Sequence, residues 1–176
     1  MRILKYPIIV FLIALAYVSC RKIEQLPVIP RVEFTSFAVF DTIDPLGNDC
    51  KGGRLKFYFE DGDGNLGLKS PEETGDMDSL NLFLTLFRKT GGIMVQVPDS
   101  GDLMKPSNYR VPYMERTGQN KILKGSIAVT FTYTFYEPAD SDIFQYKFFI
   151  KDRDLNTSNI DSTGEIALSV NNLYVR

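Results

Sequence analysis

The chain has no histidine and only two cysteines, and these absences remove much of enzyme chemistry. Without histidine, Ser-His-Asp and Cys-His nucleophilic systems cannot be assembled, nor can histidine-ligated zinc. Cys20 and Cys50 are too few for a thiolate metal cluster. A phosphate-binding loop is missing as well. Gly62-Asp63-Gly64-Asn65-Leu66-Gly67 spells G-x-G-x-x-G, but its acids would repel a pyrophosphate and no helical pattern follows. Positive charge is also scarce, with 20 Lys and Arg against 22 Asp and Glu, so no basic face for nucleic acid is expected. What survives is carboxylate chemistry. A pair of acids for glycoside hydrolysis stays open as a minority reading, although no pair stands out.

The first twenty residues, MRILKYPIIVFLIALAYVSC, have the form of a secretory signal. Arg2 and Lys5 make a basic n-region, Tyr6 to Tyr17 an apolar run, and small Ser19 precedes a cysteine. A membrane-spanning helix would need about 20 apolar residues, and this run meets Arg21-Lys22 too soon and contains Pro7. Val18-Ser19-Cys20 resembles the lipobox of bacterial lipoproteins, with Tyr17 where leucine is usual. The resemblance implies that Cys20 is diacylated and becomes the first residue of the mature chain. Two or three acyl chains, at ~0.8 kcal/mol per buried CH₂, anchor a protein stably without a spanning helix. Arg21 after the cysteine, in place of aspartate, implies delivery to the outer membrane, on either face. Loss of residues 1–19 removes two of the 20 basic residues and no acid, leaving 18 against 22. Cys50 is then an unpaired thiol, a small residue in a loop from Gly47 to Gly53. The alternative is a Cys20–Cys50 bridge.

Residues 20–30, with two prolines and no period, read as a lipidated N-terminus and tether, and residues 31–176 as one domain. Its dominant period is two. Val32, Phe34, Ser36, Ala38 and Phe40 share one predicted face, and Leu55, Phe57 and Phe59 another. The series Leu80 to Leu86, Ile127 to Phe135, Phe144 to Ile150, and Ile166 to Val170 follow the same rule. Helical periodicity is absent beyond the signal, apart from a turn near Pro71–Gly75. Half-buried strands must stack, so the expected class is all-β, a β-sandwich of about seven to nine strands. Asp142-Ile143-Phe144-Gln145-Tyr146-Lys147-Phe148 resembles the start of strand F in immunoglobulin-like domains, with Tyr146 as the corner tyrosine. On that resemblance strand A is Arg31–Asp41, B Arg54–Glu60 and C Leu80–Lys89. C′ is Ile93–Val97, E Ser126–Tyr136, F Asp142–Asp152, and G begins at Gly164.

In an immunoglobulin-like sandwich the B–C and F–G loops share one end. The first holds Asp61, Asp63 and Asn65 at alternate positions, and the second holds Asp152 and Asp154. Calcium takes six to eight oxygens at about 2.3–2.6 Å, and these five side chains are candidate ligands. An EF-hand is excluded because Leu66 stands where its glycine is required. The competing reading needs no metal: D-G-D-G-N favours a tight turn for backbone reasons, and Arg153 could balance the acids. EDGDGNLG and KDRDLNTSN resemble paired motifs of exported immunoglobulin-like lipoproteins common in Bacteroidota, with Leu155 where glycine is usual. That resemblance implies a domain family without implying an activity.

Pro98 to Asn120 is longer than a strand connection needs. Tyr109, Arg110, Tyr113, Met114 and Arg116 have the composition of a partner-contact patch. The competing reading packs them down as a small hairpin over a sheet edge. The chain is therefore expected to be a membrane-anchored, non-catalytic module of the cell envelope that contacts a protein or glycan, with calcium as the candidate ion. An accessory subunit of an envelope complex is the alternative.

Overall fold

The computed structural model describes residues 26–76, 79–98, 105–115, 121–134 and 143–176. The signal segment, Cys20, Arg116, Phe135, Tyr136 and Asp142 lie outside the described residues. Among the described residues, nine strands form two antiparallel sheets. In chain order they are β1 Arg31–Ile43, β2 Asp49–Asp61, β3 Leu82–Thr90, β4 Ile93–Gln96 and β5 Leu123–Tyr133. β6 Ile143–Ile150, β7 Asp161–Ser162, β8 Ile166–Ala167 and β9 Asn172–Val175 follow. A single helical turn, α1 Pro71–Thr74, sits where the turn was expected and ends on Gly75 in the left-handed conformation.

The first sheet runs β5-β2-β1-β9, and the second runs β4-β3-β6 with β7 and β8 both on the free edge of β6. The sheets face one another in a sandwich-like arrangement joined by rings from opposite layers. Phe37 and Tyr146 stack at 5.5 Å, and Phe57 meets Phe148 at 5.0 Å. Alternation makes this core: Leu82, Leu84 and Leu86 of β3 and Phe144, Tyr146, Phe148 and Ile150 of β6 are all buried. Each contributes about 1.5–3 kcal/mol by leaving water.

Three expectations need correction. The predicted face of β1 holds only to Phe34. A bulge at Thr35 shifts the register, so Phe37 and Val39 turn inward and Ala38 and Phe40 do not. One extra residue reverses a period of two. The expected loop from Gly47 to Gly53 is also mostly strand. The turn is Asp44–Asn48, closed by the Asp44 carboxylate accepting from Leu46 N, Asn48 N and Asn48 Nδ2. Cys50 is paired with Thr42 within β2. Gly52 and Gly53 belong to β2 because the rings of Phe40, Phe37 and Tyr133 occupy the space a Cβ would need. Third, Leu80 breaks the inward series of β3: it is exposed, and Asn81 is buried instead.

The last strand, β9, crosses to the first sheet and pairs with Ser36–Val39 of β1. The other half of that edge is completed by side chains. Asn159 accepts from Val32 N at 2.9 Å and donates to Val32 O at 2.9 Å, as a neighbouring strand would. Asp161 accepts from Phe34 N at 2.6 Å. Asn159→Ala strands both polar groups of Val32, which is 1% exposed. Such a loss costs about 2 kcal/mol. Urea unfolding should show it, with Asn159→Asp, which keeps one acceptor, less affected.

Candidate metal site at the loop pole

β1 starts where β2 ends, with Arg31 opposite Glu60, and Leu123 of β5 lies opposite Asp61. β3 begins opposite the end of β6 at Leu82–Ile150. The β2–β3 and β6–β7 loops therefore share one pole, as the sequence led us to expect. They touch directly where Arg153 N donates to Asn65 O at 3.4 Å.

The first loop curls because Leu66 is a core residue, with no exposed surface. Burying it folds the chain back over the end of β2, and Leu66 N donates to Asp61 Oδ2 at 2.7 Å. Gly64 and Gly67 make the turn with φ of 67° and 89°. Gly62 has a different reason. Its N–H donates to Pro27 O at 3.0 Å, and a Cβ there would collide with the carbonyl oxygens of Leu26 and Pro27. Leu26 and Pro27 are thus docked on the acidic turn.

This fold leaves Asp61 fully buried, with Oδ1 facing no protein donor. Burial, contact with the Asp63 carboxylate and the charge of Asp152 push its pKa up to about 6. Beside it, Asn65 Oδ1 is also buried without a donor. The orientation of that amide is set from behind. Asn65 Nδ2 donates to Asp63 Oδ2 at 3.1 Å and to Asp154 Oδ2 at 2.8 Å, which turns the oxygen the other way.

The five expected ligands divide. Asp61, Asp63 and Asn65 come together. Asp152, although buried, has both carboxylate oxygens on Asn156, accepting from its N and Nδ2 at 2.8 Å each. Asp154 is exposed and serves to hold Asn65. Among the described residues no three Asp, Glu, Cys or His side chains converge on one metal position. The turn thus gathers two carboxylates and an amide, whose oxygens are hard donors of the kind calcium takes. Arg153 does not balance these acids by an ion pair among the described residues. Its guanidinium donates to Gly67 O at 3.0 Å and Leu66 O at 3.3 Å and lies over the Tyr113 ring at 4.9 Å.

The second loop, expected to supply ligands, is closed largely by its own residues. Asp152 and Asn156 close it, and Ser158 Oγ accepts from Ile150 N at 3.0 Å. Asn159 then joins it to β1. Asx-type closure, visible in the spacing of K-D-R-D-L-N-T-S-N, was the available signal. Leu155 occupies the left-handed position, with φ of 66° and 76% exposure. A leucine there is strained by roughly 1–2 kcal/mol and glycine is not. Leu155→Gly should therefore raise stability by about 1 kcal/mol, read as a higher urea midpoint. A lower midpoint would contradict the strain.

Residues 105–115 cross the same pole as an irregular strap instead of a hairpin. Tyr109 exchanges backbone bonds with Leu82 and packs on Phe131 at 5.7 Å. Arg110 donates to the carbonyls of Lys69, Asp76 and Ser79. Met114 packs against the core, and Tyr113 remains 40% exposed, between Lys69 and Arg153. No family model, curated protein or solved structure matches this chain.

Proposed function

We propose that the chain is a lipid-anchored, non-catalytic immunoglobulin-like binding module of the cell envelope whose loop pole holds one calcium ion. The strand order supports the immunoglobulin-like reading. β1, β2 and β5 lie together as A, B and E would, and β4, β3, β6 and β7/β8 as C′, C, F and G would. The docking of Pro27 on Gly62 favours lipidation of Cys20 over its other use, a bridge to Cys50. Cys50 lies at the far end of β2, thirteen residues long or about 40 Å. With Pro27 docked on Gly62, the stretch back to Cys20 spans at most about 25 Å. The tether also leaves from the loop pole, so lipidation at Cys20 holds that pole close to the membrane and leaves the sheet faces clear.

One observation carries the metal: a fully buried Asp61 with one carboxylate oxygen lacking a protein donor, in the same turn as a buried Asn65 amide oxygen that also lacks one. Burying that charge without a counter-ion is costly, and calcium is the ion these oxygens suit. Asp61, Asp63 and Asn65 would hold it, with loop carbonyls and water completing the set. Bound calcium would tie the two strand ends at that pole and screen the carboxylates from one another. Calorimetric titration of the full-length chain should give one site, abolished by Asn65→Ala and Asp61→Asn. Saturating calcium without heat or thermal shift would refute the metal. Independently, Cys20→Ser should move the protein from the membrane fraction to the soluble one, and an unchanged distribution would refute the anchor.

A further inference from the structure

The outward face of the second sheet does not look like an ordinary wetted surface. Alternation turns Phe83, Thr85 and Phe87 of β3 and Lys147 and Phe149 of β6 away from the core. Phe83 and Phe149 pair across the strands and stack at 5.0 Å with 16° between their planes. Two ammonium groups flank the rings, Lys147 Nζ at 4.5 Å from the Phe87 centroid and Lys151 Nζ at 5.4 Å from that of Phe83. On the Lys147 side of these rings is a groove of about 250 Å³ lined by Thr85, Phe87, Gln96, Lys147, Phe149 and Ile160, with Phe83 and Lys151 beyond Phe149. Ile160 is 65% exposed at its rim. No lining residue is acidic, although acids outnumber bases in the whole chain.

We infer that this groove binds an anionic polysaccharide, one acidic sugar ring at a time. The inference rests on the binding-module reading above and names its surface and ligand class. Two arguments select the occupant. First, charge: a cationic, acid-free groove on an acidic protein is complementary to a polyanion, and other anions would gain nothing from the rings. Second, the backbone of a central sheet face is consumed by its own ladder, so the face offers only side chains. An extended peptide would bind at an edge, where N–H and C=O groups are available. A sugar ring needs what is present here: apolar ring faces for its C–H surface, Thr85 and Gln96 for hydroxyls, and Lys147 and Lys151 for carboxylates.

The test is affinity electrophoresis of the full-length chain in detergent, in gels cast with polygalacturonate, alginate or chondroitin sulfate. EDTA is present throughout, so the calcium site contributes nothing and its failure would not affect the result. At least one of these polyanions should retard the protein, and methyl-esterified polygalacturonate, with the same rings and no charge, should retard it at least tenfold less. Lys147→Gln should weaken retardation about tenfold and Phe87→Ala at least as much, both variants keeping a cooperative thermal transition. Lys56→Gln, an exposed lysine on the other sheet, should change nothing. Absence of retardation by all three polyanions would overturn the inference. Equal retardation by the esterified polymer, or an equal effect of Lys56→Gln, would overturn it too.

Discussion

Raising the pH from 4 to 7 without calcium should cost the folded chain up to about 3 kcal/mol through Asp61, and calcium should restore most of it. The sign follows from linkage. Asp61 has a folded pKa of about 6 against an ordinary value of 3.8. The folded state therefore holds the proton more tightly than the unfolded state. That contribution is fully present below pH ~4 and is lost as pH rises through about 6. Each tenfold difference in proton affinity corresponds to about 1.4 kcal/mol, which sets the size. Asp41 and Asp44, held low by Lys51 and Asn48 respectively, act in the opposite direction and only below their ordinary range. Among the described residues, the window between pH 4 and 6 thus belongs to the loop pole. Urea unfolding at several pH values, in EDTA and in millimolar calcium, measures it. A calcium ion bound by the folded state alone would stabilise it by mass action, increasingly as Asp61 ionises. Asp61→Asn should flatten the pH profile and remove the calcium response together. A variant that kept the wild-type slope would place the titration elsewhere.

Phe57→Ala should cost about 4 kcal/mol, among the largest single-residue effects expected in the described core. Phe57 has no exposed surface and meets Phe148 of the opposite sheet at 5.0 Å, so truncation opens a cavity between layers. Both layers lose contacts, and close packing lets neither move far to refill the space. Domains of this size keep only about 5–15 kcal/mol in total, so the variant should approach its unfolding threshold at physiological temperature. The control is Phe149→Ala, on the outward face of the second sheet, which should cost far less. Urea midpoints for the pair decide the matter. A loss below about 1.5 kcal/mol at Phe57 would mean that the sheets are not in close contact there.

The legible part of the fold was its alternation. Phe57, Leu84, Phe144, Tyr146, Phe148 and Ile150 were placed on buried faces by period alone, and each is buried. The phase was not legible where a single residue reset it. Thr35 looks like any other residue of β1, yet the bulge there decides that Phe37 faces Tyr146 and Phe40 does not. Gly52 and Gly53 carry loop composition, but their role depends on three rings from elsewhere in the chain. The short β9 has no pattern of its own and becomes a strand because the β1 edge has unpaired backbone groups to offer.

The candidate site divides in the same way. Alternate acids at 61, 63 and 65, and a second polar loop some ninety residues later, could be read together as one pole because sandwich loops emerge in sets. Which acids turn toward each other could not. Asp152 and Asp61 have the same side chain and both are buried, but Asn156 saturates one while Leu66 N leaves the other half-open. Residue type and spacing determined that this chain makes pleated layers, carries a cysteine in a lipoprotein-like context and lacks histidine chemistry. Those are properties of local order and composition. Only the tertiary structure decided which oxygen has no donor, which lysine flanks a ring, and where Leu26 and Pro27 rest, because each depends on an atom supplied by a distant part of the chain.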